Sequence, residues 1–167
     1  MRKSFLVIIV VLLFVLNAPA QKITVTVAAN MRYTMEALKA EFNKTDKTQI
    51  AVVLGASGNL TQQIMQGAPF DIFISADTSF PKRLSDAGLA AAPAKVYAQG
   101  LLVLWSTKPN VQPAADLKLL LDNDIRAIAI ANPKTAPYGA AAEAILKKYD
   151  LYNKISSKLV TGESITQ

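Results

Sequence analysis

Apolar and polar positions along the chain fall into two periodicities that take turns. Ile23-Thr-Val-Thr-Val-Ala-Ala29 is rich in β-branched side chains and reads as a buried strand. Met31, Met35, Leu38 and Phe42 then recur at helical spacing, with Glu36, Lys39 and Lys44 on the polar side. Ile50-Ala-Val-Val-Leu54 predicts a second strand. Gly55 to Asn59 predicts a loop, and Leu60 to Met65 a short helix that Gly67 stops. Asp71-Ile-Phe-Ile-Ser75 predicts a third strand. Thr78 to Ala87 predicts a helix that tolerates Pro81 in its first turn and ends at Gly88.

The second half continues in the same style. Strands are expected over Leu101–Trp105 and Ile125–Ala131, and another begins at Leu159-Val160. Between them, Lys108 to Pro113 is rich in turn residues and Ala114 to Leu121 is helical in pattern. Pro133 to Gly139 is a loop, and Ala140 to Tyr149 an alanine-rich helix. Gly162-Glu-Ser-Ile165 reads as the loop and N-cap of one more helix. Alternation of this kind predicts the α/β class, with parallel strands joined by crossovers. In such sheets ligands sit off the carboxyl ends of the strands, so the informative residues belong to the strand-to-helix loops.

The start of the chain follows a different rule. Arg2 and Lys3 precede an uncharged apolar run, Phe5 to Leu16, and Ala18-Pro19-Ala20 supplies the small-x-small pattern that signal peptidase reads. The run is shorter than the ~20 residues a spanning helix needs. Residues 1–20 are therefore expected to be a cleaved signal peptide, with the mature chain starting at Gln21 outside the cytoplasm. Two of the 18 basic side chains lie in that leader, so 16 remain against 12 acidic ones, a mild +4. No basic tract interleaved with aromatics points to nucleic acid.

Two absences narrow the chemistry further. The 167 residues contain no Cys, which excludes disulfides, thiolate metal sites and a lipid-anchored cysteine. They contain no His, which excludes Ser-His-Asp catalysis and the commonest metal ligand. Gly55-Ala-Ser57-Gly58 faintly suggests a hydrolase nucleophile loop, but the G-x-S-x-G spacing fails.

Four loops follow predicted strand ends: Ala28 to Arg32, Gly55 to Asn59, Ala136 to Gly139 and Gly162 to Ile165. Each joins small, hydroxyl or amide residues to an expected helix start, where backbone N–H groups and the partial positive charge of the helix favour an anion. Ordinary N-capping by Asn30, Asn59 and Ser164 explains any one of them equally well. Four in one chain make a shared oxyanion site a competing reading. Four helix ends at about half a charge each approach the charge of a dianion without any lysine. Asp71 and Asp77 flank the third strand and are expected to be structural. Arg32 either lends charge to the site or sits on a solvated helix face.

The strings Lys22 to Asn30, Gly55-Ala-Ser57-Gly-Asn-Leu60 and, above all, Gly67-Ala-Pro-Phe-Asp71-Ile-Phe-Ile-Ser-Ala-Asp77 resemble the molybdate-binding proteins of ABC importers, which are type II periplasmic binding proteins. The resemblance continues through Asn132-Pro133, Pro137-Tyr-Gly139 and Gly162-Glu-Ser164. It implies a two-lobed periplasmic-binding-protein-like fold with parallel or mixed sheets, lobe 1 over residues 21–98 and lobe 2 over 99–167. The second lobe is expected to be incomplete, as in a C-terminally truncated chain.

The resemblance also implies a function and a set of site residues. The expected function is capture of molybdate or tungstate for a membrane permease, by a monomer without enzymatic activity, cofactor or direct cation ligand. Sulfate or phosphonate is the alternative ligand, and a secreted hydrolase the remote alternative. Oxyanion ligands are carried onto Asn30, Ser57, Tyr138 and Ile165. Of these, Ser57 keeps the family's serine, Asn30 stands where the family has one, and Tyr138 and Ile165 serve through backbone donors. The family's completing tyrosine would lie beyond Gln167.

Overall fold

A computed structural model describes residues 22–109, 111, 113 and 116–167. The expected signal peptide lies outside the described residues. Strand β1 (Lys22–Ala28) leads through a 3-10 turn (Ala29–Met31) into helix α1 (Arg32–Phe42). Next come β2 (Gln49–Gly55), α2 (Ser57–Met65), β3 (Ile72–Ile74) and α3 (Ser79–Asp86). The second half holds β4 (Ile128–Ala131), α4 (Pro137–Lys148), α5 (Tyr152–Ile155) and β5 (Leu159–Gly162).

Both sheets are parallel. β1 lies between β2 and β3, paired with β2 from Lys22–Gln49 to Ala28–Gly55, while β4 pairs with β5 from Ile128–Leu159 to Ala131–Gly162. The β-branched run of β1 therefore forms a central strand covered on both faces. Val25 and Val27 are buried with Met35 of α1, and Ile50, Val52, Leu54 and Ile74 close around them. A separate core under the second sheet joins Leu120, Ile128, Leu146, Leu151 and Ile155. Ala56, Ala131 and Ala136 meet where the two halves touch.

Local signals behaved as their chemistry requires. Gly67 and Gly88 adopt positive φ, 88° and 71°, at the ends of α2 and α3. Pro81 sits in the first turn of α3. Asp71 ties the edge of the first sheet, its carboxylate accepting from the Thr24 amide at 2.7 Å while its own amide donates to the Thr24 carbonyl at 3.0 Å. Asp77 accepts from the Ser79 hydroxyl and the Phe80 amide at the head of α3. Both carboxylates are structural, as expected.

Some expectations need correction. No strand forms over Leu101–Trp105, because no described strand offers it a ladder; Leu104 alone packs on the second core. The helix expected from Ala114 becomes a 3-10 helix over Leu117–Leu121, started by the Asp116 carboxylate accepting from the Lys118 amide. β4 begins three residues later than expected because a turn bond from Ile125 to the Asp122 carbonyl holds the preceding segment. After Gly162 the chain makes a turn. The Gln167 amide donates back to the Ser164 carbonyl, and the Ser164 hydroxyl accepts from the Thr166 amide, the bond expected of an N-cap serine.

Gly139 marks the tightest approach of helix to sheet. A Cβ there would collide with the backbone of Ala131 and Asn132. Gly139→Ala is therefore expected to destabilise the protein by about 1–3 kcal/mol, despite the better helix propensity of alanine. Urea unfolding followed by circular dichroism checks this; an unchanged midpoint would mean that α4 moves off the sheet freely.

Candidate functional site

The parallel register sets Ala28 beside Gly55 and Ala131 beside Gly162 at the carboxyl ends of the two sheets. The chain leaving each of these ends turns toward the same place. There, Ala28 to Asn30, Gly55 to Ser57, Ala76, Ala136 to Tyr138, and Ser164 with Ile165 line one narrow cleft. All four residues expected to contact an oxyanion, Asn30, Ser57, Tyr138 and Ile165, are in this lining, one from each of the four loops.

Ser57 is the most constrained of them. It opens α2, is fully buried, and its Oγ accepts a hydrogen bond from the Ala76 amide at 3.0 Å. With an acceptor lone pair engaged, the hydroxyl proton remains to donate. The first amides of a helix have no acceptor within it, so the Ser57 amide is also open to a guest. Tyr138 stands at the second position of α4, behind Pro137, and its amide is likewise without an acceptor in the helix. Asn132 shapes the approach to α4. Its carbonyl accepts from the Ala136 amide at 2.8 Å and its side-chain oxygen from the Lys134 amide at 3.0 Å.

Asn30 lies within the 3-10 turn that follows β1, and Ile165 lies in the closing turn after β5. Neither Asn30 nor Asn59 caps a helix, whereas the Ser164 hydroxyl accepts from the Thr166 amide two residues on. Asn59 instead reaches the Glu163 carboxylate at 3.4 Å. Three described helical starts, those of α1, α2 and α4, face the cleft, giving about one and a half positive charges in partial form.

The electrostatics are those of neutral dipoles. No Lys, Arg, Asp or Glu is among the lining residues. Arg32 does not line the cleft; its Nε is buried without a hydrogen-bond partner among the described residues. No group of three or more His, Cys, Asp or Glu residues able to hold a metal ion occurs among the described residues. Nor is any described helix long and apolar enough to cross a membrane.

Two contributors escaped the reading of the sequence. Ala76 orients Ser57 through its amide, which a side-chain search cannot register, although Ala76 stands inside the Gly67–Asp77 string. Tyr97, on the long connection between the halves, donates to the Ser75 carbonyl at 3.1 Å. Burial, and then the neighbouring Tyr138, pushes the Tyr97 phenol above its ordinary pKa of 10.0. Gly100 on the same connection leaves room for the Tyr138 ring, since a Cβ there would collide with the phenol oxygen.

Residues 23–167 match the family model described as bacterial extracellular solute-binding protein. The chain belongs to this family. It is 40% identical over 153 residues to the molybdate-binding protein ModA of Rhodobacter capsulatus, covering 91% of this chain and 60% of that protein. It is also 40% identical over 151 residues to ModA of Azotobacter vinelandii, covering 90% and 60%. The solved structure of the Azotobacter vinelandii periplasmic molybdate-binding protein superposes with a TM-score of 0.81 at 37% identity, covering 87% of this chain and 64% of that one. The chain thus spans about 60% of the length of these curated relatives. The α/β fold with parallel sheets is that of this solute-binding family.

A phenol whose pKa is raised favours the fold below its unfolded value and loses that contribution as pH climbs through the higher folded value. Stability from the Tyr97–Ser75 bond is thus expected in full below pH 10 and to fade above it. In an ultraviolet phenolate titration, Tyr97→Phe should delete the component that titrates above 10. If the variant loses an ordinary component instead, Tyr97 is not shielded.

Proposed function

We propose that the chain is an extracytoplasmic receptor that captures molybdate or tungstate in this cleft and delivers it to the permease of an ABC importer. The observation that carries the reading is the buried Ser57, with one lone pair engaged by the Ala76 amide and its proton available at a cleft with no ionised lining. The names of the two ModA relatives and of the matched structure support the choice of ligand. In this reading the anion is held by the Asn30 amide group, the Ser57 hydroxyl and the backbone donors of Tyr138 and Ile165. Residues 21–98 and 99–167 act as two lobes that close on it. The receptor works as a monomer in the periplasm after loss of residues 1–20. It carries out no reaction, uses no cofactor and binds no nucleic acid. The ligand is the oxyanion itself rather than a metal cation.

The donors are sufficient in magnitude. A hydrogen bond to a charged group nets about 1.5–3 kcal/mol, and a micromolar site needs about 8 kcal/mol. About five donors therefore suffice once binding costs are included. Charge and protonation set the selectivity. Molybdate, tungstate and sulfate are proton-free dianions near neutral pH, whereas phosphate retains a proton that needs an acceptor, and no carboxylate lines the cleft. Size then separates molybdate and tungstate from the smaller sulfate. The longer Asn30 side chain, where the family has a serine, makes that size limit the feature to measure.

Sulfate or phosphonate is the second reading, favoured by the same neutral donors. A hydrolase is disfavoured because the Ser57 oxygen meets a backbone amide instead of a general base.

Calorimetric titration with molybdate, tungstate, sulfate and phosphate tests the proposal. The first two are expected to bind in the micromolar range or tighter, and the last two at least tenfold more weakly. Ser57→Ala should weaken molybdate binding about ten- to a hundredfold, the equivalent of one charge-assisted hydrogen bond. Heat from sulfate with none from molybdate would transfer the protein to the second reading. No heat from any of the four would remove the oxyanion reading altogether.

A further inference from the structure

Residues 22–88 and residues 116–167 share no sheet, and among the described residues two hydrogen bonds join them. Both arise from consecutive residues in the first turn of α2. The Gly58 amide donates to the Thr135 carbonyl at 2.8 Å, and the Asn59 side-chain amide donates to the Glu163 carboxylate at 3.4 Å. Gly58 has no room for a side chain. A Cβ there would stand 2.9 Å from the Thr135 carbonyl oxygen, 3.0 Å from the Thr135 Cα and 3.1 Å from the Phe80 ring. Ala56, just before the helix, is buried against Ala131 and Ala136 of the other half. None of Gly58, Asn59, Thr135 and Glu163 lines the cleft.

We infer that Gly58 and Asn59 form a latch that holds the two halves closed, and that this latch sets how long the cleft keeps its guest. The inference rests on the receptor reading for the identity of that guest. Three successive residues divide the work. Ser57 faces the cleft. Gly58 fastens its backbone to the loop that leads into α4, and Asn59 fastens its side chain to the turn after β5. A ligand that seats the start of α2 thereby brings both fasteners into register. Gly58 and Asn59 are positioning residues, acting on the ligand through closure rather than by contact. The contact with the Thr135 backbone exists only in the closed arrangement, whereas the Phe80 ring, on the same half as Gly58, must give by a few tenths of an ångström in either state. Alanine is the better helix former and the Phe80 side chain can shift, whereas the Thr135 backbone cannot, so a methyl group there is expected to leave each half folded while wedging the halves apart.

The chain has no cysteine, so a pair of spin labels can be placed at Arg83→Cys and Asn153→Cys, two exposed positions on opposite halves. In the ligand-free full chain, Gly58→Ala should lengthen and broaden the distance distribution. With molybdate, Gly58→Ala should raise the dissociation rate at least about tenfold while leaving the association rate within about threefold, the pattern of a lost closed state. Asn59→Ala and Glu163→Ala should each speed dissociation severalfold. The double variant should be no faster than either alone, and Glu163→Gln, which keeps the acceptor oxygen, should stay within about twofold of the parent. Circular dichroism of each variant separates these effects from unfolding.

Unchanged distances and unchanged dissociation in Gly58→Ala would overturn the latch. Additive effects in the double variant would dissolve the Asn59–Glu163 fastener. If the parent protein fails to bind molybdate, the receptor reading falls, and the ligand-free distances still decide whether Gly58 holds the halves together.

Discussion

The parallel pairing of β1 with its two neighbours is the constraint on which everything else depends. Parallel strands must run their carboxyl ends to the same edge. The seven-residue register from Lys22–Gln49 to Ala28–Gly55 leaves no freedom about which residues arrive there together. A slip of one residue would turn Val25 and Val27 out of the core and move Ala28 out of the cleft. Hydrophobic burial and cleft geometry are thus one decision, made by the β-branched pattern of β1. The second sheet repeats the device on a smaller scale, with Ala131 and Gly162 at its edge.

Much of this was legible because it is local. The strand and helix periods, Gly67 and Gly88 at helix ends, Pro81 in a first turn, and the strand-to-helix loops all follow from a few neighbouring residues. The four loops do meet, and Asn30, Ser57, Tyr138 and Ile165 share one lining. What was not legible depends on distant partners. Leu101–Trp105 has the composition of a strand and no described strand to pair with. Asn59 looked like a cap until Glu163, far along the chain, proved to be its partner.

The small residues around the cleft have a common physical explanation. Ala28, Ala29, Ala56, Ala76 and Ala136 bring backbone close to the cleft, so that main-chain amides, rather than long side chains, define its surface. A main-chain donor is fixed by the secondary structure that carries it and loses little entropy when a guest arrives. A lysine in the same place would bring a larger charge but also a flexible stem and a hydration shell to remove.

That choice makes closure matter more, not less. Dipoles attract an anion weakly through water and strongly once water is excluded, because the same partial charges then act through a lower dielectric. An open cleft lined by neutral donors would hold its guest poorly, whereas a lysine would hold it in either state. A receptor whose cargo must later be released gains from this dependence, since opening alone weakens the site. If the cleft is the proposed oxyanion site, the bare backbone at Gly58 and the hydroxyl of Ser57 are two parts of one device. Ser57 supplies a donor, and the absent Cβ beside it lets the halves approach closely enough for that donor to act in a dry environment.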